Sequence, residues 1–227
     1  MTLLHILSIV SITAMSGCTS IQHISVDKHE ISTFSVKELT VVRRPVPDFQ
    51  VITRGNAAAS AVVPLIGSAI VQGQAKSFGQ SIALAAGLSD PSSQIAESLA
   101  VSLEKAYGIK YAGIANETVD EDASVFSRAV TYRDFPLILD VKTIVWGITY
   151  LSVFADEYRF AYAGHLQVVA TESSKVLAEG SCLASKSQQP LFPYEQLLEN
   201  GAAKLKDQMQ KVVQFCIKEF SGKYLGM

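Results

Sequence analysis

Charge is scarce in this sequence. Asp, Glu, Lys and Arg make up 18% of the 227 residues, against roughly 25% in a typical soluble protein. The shortage is shared between the signs, with 19 basic and 21 acidic residues and a formal net charge of −2. No broad electropositive surface follows, which excludes nucleic acid as the main partner. Cysteine is sparse too. Three residues are too few for a disulfide scaffold and too scattered for a metal cluster. There is no GxSxG, HExxH, P-loop or dinucleotide-binding glycine pattern, so no catalytic residue, metal site or soluble cofactor is assigned and enzymatic activity is not expected. Apolar residues, in contrast, reach 48%, enough to bury a core and to exclude global disorder.

The missing charge is concentrated in two places. Residues 1–17 contain no Asp, Glu, Lys or Arg. Their apolar stretch is shorter than the ~20 residues of a membrane-spanning helix and has the length of a signal-peptide core. It ends at Met15-Ser16-Gly17-Cys18-Thr19. This resembles the lipobox of bacterial lipoproteins, with Met15 where that family prefers Leu. The resemblance implies a diacylglycerol on the Cys18 thiol, removal of residues 1–17 and acylation of the new amino group. Small Ser16 and Gly17 give the peptidase access, and only Cys18 offers a nucleophilic thiol. Each buried methylene contributes ~0.8 kcal/mol, so several chains on one residue anchor stably. Thr19 stands where an Asp would signal inner-membrane retention. The expected address is therefore the periplasmic face of the outer membrane. Residues 18–35 are expected to be the lipidated cysteine and a mostly polar tether, followed by a single periplasmic domain over 36–227.

The second charge-poor block is 55–89, where Lys76 is the one charged residue. Within it Ala75, Gly79, Ala83 and Gly87 recur at four-residue spacing, a smooth stripe on a helix that lets another backbone approach. Three readings are open. The stripe packs inside the domain, it contacts a partner or a second copy of the chain, or it meets the bilayer.

Elsewhere the pattern predicts an α+β fold. Residues 36–42 read as a β-branched strand, and 49–53 as a second short one beyond the breaker Arg43-Arg44-Pro45-Val46-Pro47-Asp48. Asp90-Pro91 marks a helix start, Ile95, Leu99, Leu103 and Ala106 form its apolar stripe, and Gly108 is positioned to end it. Residues 111–114 start a strand, and 116–133 read as a surface loop or short helix. Residues 135–150, 158–171 and 176–185 read as three strands of an antiparallel meander. On the third, Val176, Ala178, Gly180 and Cys182 are expected on one face. Residues 194–224 form a long amphipathic helix with a stripe of Leu198, Ala202, Leu205, Met209, Val212, Cys216 and Phe220. The expected architecture is thus a meander sheet packed by a capped middle helix and a closing C-terminal helix.

With Cys18 acylated, Cys182 and Cys216 remain as candidates for one disulfide in an oxidising compartment, or as two buried thiols. His23 and His29 lie in the tether, and His165 is alone on a strand. The order of elements is similar to periplasmic α+β domains of the TolB N-terminal and curli-secretion types, a resemblance of architecture that implies an assembly or secretion role. The expected function is an accessory lipoprotein of an envelope complex, acting through protein partners or as a homo-oligomer. The alternatives are an envelope hydrolase or ligand carrier around His165 or Asp156, and a pore-forming lipoprotein using 55–89.

Overall fold

A computed structural model of the chain describes residues 23–34, 37–52, 78–150, 156–184 and 190–227. In chain order the elements are α1 (Lys28–Ser32), β1 (Glu38–Arg43), β2 (Gln50–Ile52), α2 (Pro91–Tyr107), β3 (Lys110–Thr118), α3 (Val125–Thr131), β4 (Leu137–Tyr150), β5 (Tyr158–Ala170), β6 (Lys175–Leu183) and α4 (Tyr194–Lys223). Residues 78–86 are also helical. Among the described residues the strands form one six-stranded sheet in the order β3-β1-β4-β5-β6, with β2 also on β4. The α+β class is as expected.

The meander β4-β5-β6 is antiparallel, as its short connections require. The N-terminal strands differ. β1 pairs in parallel with both β3 and β4, and β2 pairs in parallel with β4. The physical reason is that α2 lies in the connection from β2 to β3, and only a crossover of that length returns the chain to run in the same direction. β1 and β2 follow one another along a single edge of β4. Leu39 to Val41 match Leu137 to Leu139, and Gln50 to Ile52 match Gly147 to Thr149.

α2 begins where the sequence signals it. The Asp90 carboxylate accepts from the Ser92 N–H at 3.2 Å, and Pro91 occupies the first turn. It ends at Gly108 with φ +65°, a left-handed cap that glycine adopts without strain. Ile95, Leu99 and Leu103 are buried at 1% exposure or less; Ala106, expected beside them, is exposed. α2 and α4 pack together over one face of the sheet, where Leu39, Val41, Leu137, Leu139, Phe160, Leu166 and Phe220 belong to one core. Residues of opposite parity, Val42, Ile138 and Val169, join Ala115, Val119 and Tyr132 in a smaller cluster on the other face. A register irregularity between Val168 and Val169 shifts β6 by one residue. Ala178 and Cys182 therefore join the main core while Val176 packs on the smaller cluster, which corrects the expectation of one shared face.

α4 is not the continuous helix that its stripe predicts. Asn200, Gly201 and Ala202 have φ of +53°, +66° and +61°, which breaks the helix after its first turns. Asn and Gly tolerate this region, and Ala202 is held there at 1% exposure. The break rotates the first segment, so Leu197 rather than Leu198 is fully buried. Beyond it Leu205, Val212, Cys216 and Phe220 face the core as expected.

Residues 24–34, expected as tether, instead pack on the domain. Ile24 makes a two-hydrogen-bond bridge with Glu179 on β6, at 2.9 Å each way, and the Val26 N–H donates to the Tyr224 carbonyl at 2.7 Å. Asp27 caps α1, and Ile31 reaches the main core at 2% exposure.

Candidate functional site

The loop between β1 and β2 is held at both ends. Its Arg44 guanidinium forms a bidentate pair with Asp140 on β4, Nε to Oδ1 at 2.9 Å and Nη2 to Oδ2 at 2.6 Å. The third nitrogen donates to the carbonyls of Asp120 and Glu121 at 3.1 and 3.0 Å. At the far end the Trp146 indole N–H donates to the Pro47 carbonyl at 2.7 Å. Two prolines fix φ in the stretch between. The tip residue, Val46, is 63% exposed.

Asp140 also holds Arg128 of α3 through Nη1, and the second Arg128 nitrogen reaches Gln167 Oε1 at 2.5 Å. Gln167 Nε2 and His165 Nε2 both meet Glu179 Oε1 at 2.9 Å. Side-chain exposure is 9% for Arg44, 5% for Arg128 and 3% for Asp140. Burial pulls the Arg128 guanidinium below its ordinary value. Burial acts on Arg44 too, but there the paired carboxylate outweighs it and holds the group above its ordinary value. Both stay charged in ordinary conditions, so Asp140 is a single buried anion between two cations.

Val46 stands between two clefts at the N-terminus of α2. One, of about 430 Å³, is lined by Val41 to Val46 of β1 and its loop, by Ile114 and Thr118 of β3, and by Asp90, Ser92, Ser93 and Ala96. The other, of about 480 Å³, lies between Gly87 to Pro91, Ser93, Gln94 and Glu97 on one side and Lys206, Met209, Gln210 and Val213 of α4 on the other. Val46, Asp90 and Ser93 line both. The first lies where the parallel strands β1 and β3 end, the position at which parallel sheets leave room for a ligand because their connections diverge. Asp90 fixes the floor. Besides capping α2 it accepts from Ser92 Oγ at 2.6 Å and Thr143 Oγ1 at 2.5 Å, which locks α2 to β4. Nearby, burial raises the Tyr162 phenol well above its ordinary value, so it stays neutral and serves as packing.

The residues singled out from sequence fall as follows. Cys18 and Ala75 lie outside the described residues. Cys182 and Cys216 form a disulfide with Cα atoms 5.5 Å apart, joining β6 to α4. Gly79 and Ala83 are turned inward, in line with the first of the three open readings, packing inside the domain, and not with the partner or oligomer contact also considered for them. A Cβ on Gly79 would lie 2.0 Å from the Phe49 carbonyl oxygen, and Ala83 is in the main core at 4% exposure. Gly87 ends this helix with φ +60°. Gly79→Ala is therefore expected to destabilise the protein by about 1–3 kcal/mol through forced backbone displacement, against the gain of ~1 kcal/mol that Ala brings to an unobstructed helix. Urea unfolding of the two proteins distinguishes the signs. His165 is absorbed in its pair with Glu179, Asp156 is exposed, and neither lines the two clefts. His23 stacks on Tyr224. Among the described residues no group of three His, Cys, Asp or Glu side chains is placed to hold a metal, and no helix is long and apolar enough to cross a membrane.

Sequence reasoning read Arg44 to Pro47 only as a breaker and missed the buried pair. A signal was present: Asp140 interrupts the apolar run Leu137-Ile138-Leu139-Asp140-Val141, and a carboxylate in such a strand requires a cationic partner.

No protein-family model matches the chain, and no curated protein matches it. Among the solved structures that resemble it are the following two. One is the crystal structure of lipoprotein GNA1162 from Neisseria meningitidis, 13% identical, with a TM-score of 0.32 over 82% of this chain and 98% of that one. The other is a neuraminyllactose-binding hemagglutinin homolog from Helicobacter pylori, 12% identical, with a TM-score of 0.31 over 84% of this chain and 92% of that one.

Proposed function

We propose that this protein is a lipid-anchored component of the bacterial envelope that works by binding a partner polypeptide at the paired clefts around Val46, as an accessory of an assembly or secretion complex and without catalysis of its own. The observation that carries the binding reading is the clamped loop. An aliphatic side chain is held 63% exposed between two clefts by a bidentate ion pair at one end and an indole hydrogen bond at the other. An apolar residue on a rigid support is what a polypeptide partner can bury at low entropic cost. The resemblance of Ser16-Gly17-Cys18 to a lipobox supports the anchor, and Thr19, where an Asp would signal inner-membrane retention, supports the outer membrane as its address.

A photo-crosslinking residue at position 46, introduced into the full-length protein in cells, is expected to give one recurring adduct with an envelope protein. The same residue at Val101, which is 38% exposed on α2, is expected to give none. Equal labelling from both positions would remove the reading. Cys18→Ser is expected to shift the protein from the membrane to the soluble fraction; a variant that is processed and fractionates like the wild type would refute the anchor.

A further inference from the structure

We infer that the N-terminal arm fixes the orientation of the domain on the bilayer, with the β6 edge and the C-terminal end of α4 against the lipid surface and the paired clefts turned away from it. The inference rests on the Cys18 anchor proposed above and adds what the arm does with it.

The arm is pinned from its first described residue. His23 Nδ1 lies 3.0 Å from the Tyr224 hydroxyl, with the two rings stacked. Ser25 Oγ donates to the Lys223 carbonyl at 2.9 Å. The Ile24 bridge to Glu179 and the Val26 bond to Tyr224 follow. Gly180 makes room for this arrangement, since a Cβ there would lie 2.4 Å from the Tyr224 ring. Further along, Glu30 pairs with Lys175 and Ile31 is buried. The arm is thus bound to β6 and to the end of α4 by backbone, ring and ion-pair contacts together.

His23 is five residues beyond Cys18, and five residues reach at most about 17–18 Å when fully extended. A domain of roughly 200 residues has a radius of gyration of about 17 Å and hence a diameter near ~40 Å. The reach from the lipid to the docking point is therefore less than half the width of the domain. An orientation with β3 toward the membrane would place His23 on the far side, beyond that reach. β6 and β3 are opposite edges of the sheet, and four strand spacings of about 4.8 Å separate them. The clefts share the distal side. One is lined by β1 and β3, and the other by Met209, which lies about 20 Å along α4 from Gly222 at 1.5 Å per residue.

The test uses the full-length lipidated protein on vesicles of phosphatidylethanolamine and phosphatidylglycerol that carry an energy-acceptor lipid. A donor dye is attached at Gly222→Cys, where an added Cβ meets no neighbour, or at Asn116→Cys, exposed on β3. Transfer to the membrane is expected to be several-fold stronger from position 222. Inserting about twelve Gly and Ser residues after Thr19, which adds a root-mean-square reach of roughly 20 Å, is expected to leave the arm docked and to remove the difference. Equal transfer from both positions in a protein that floats with the vesicles overturns the orientation and leaves the anchor standing. A difference that survives the insertion shows that the short reach is not its cause and also overturns the inference. Failure of the wild type to float overturns the anchor and, with it, this inference.

Discussion

Replacing Asp140 by Ala is expected to destabilise the protein by about 3–5 kcal/mol, the cost of leaving buried charge without its counter-ion. The position is more exposed to this penalty than an ordinary ion pair. One carboxylate serves two guanidinium groups, Arg44 and Arg128, whose side chains are 9% and 5% exposed. Without it the two cations repel across a dry gap. The remaining carboxylate in the network, Glu179, is already shared between His165 and Gln167. Urea unfolding at constant ionic strength measures the effect. The wild-type arrangement is not itself a large source of stability, because two guanidinium groups and a carboxylate have lost their water. A triple variant, Arg44→Met, Arg128→Leu and Asp140→Leu, is accordingly expected to recover most of the loss. It is also expected to lose the adduct at position 46, since the clamp that presents Val46 is gone. Full recovery of stability together with wild-type crosslinking would show that the ion triad does not position the loop.

The second large effect concerns the disulfide. Cys182 and Cys216 are separated by 34 residues, and closing a loop of that size is expected to contribute about 3–4 kcal/mol by restricting the unfolded chain. The double variant Cys182→Ala, Cys216→Ala should melt roughly 6–15 °C lower. Both sulfurs lie in the core, at 1% and 0% exposure. A reductant is therefore expected to act on the folded protein only as fast as the junction of β6 and α4 opens. Thiol release measured with and without denaturant reads this directly; fast release from the native protein would contradict the burial.

Local chemistry made some of this legible and long-range chemistry did not. The start and stop of α2 were readable because Asp90, Pro91 and Gly108 act within one turn of themselves. The meander was readable because its connections are short and its strands are runs of apolar and β-branched residues. The disulfide was readable as a pairing because only two cysteines remained once Cys18 was set aside. The parallel pairing of β1 was not readable, since its partners in β3 and β4 lie about 70 and 100 residues away in the chain. The arm was misread for the same reason. Ile24, Val26 and Ile31 are too few to make a periodic pattern, and their partners Glu179 and Tyr224 belong to the other end of the sequence. The break in α4 carried a signal in Asn200-Gly201, a turn-forming dipeptide, that the stronger helical stripe concealed. The clamped loop needed Asp140, 96 residues beyond Arg44.

The interior place of β1, between β3 and β4, has a consequence for how the molecule forms. A chain synthesised from its N-terminus presents Leu39, Val41 and Val42 long before Leu137 to Leu139 exist to cover them. Contacts of such high sequence separation are slow to form and leave apolar strand surface open in the meantime. The domain cannot assemble piecewise as it emerges. It has to wait for its last strands, and the closing helix with its crosslink completes a fold whose first strand has been waiting longest.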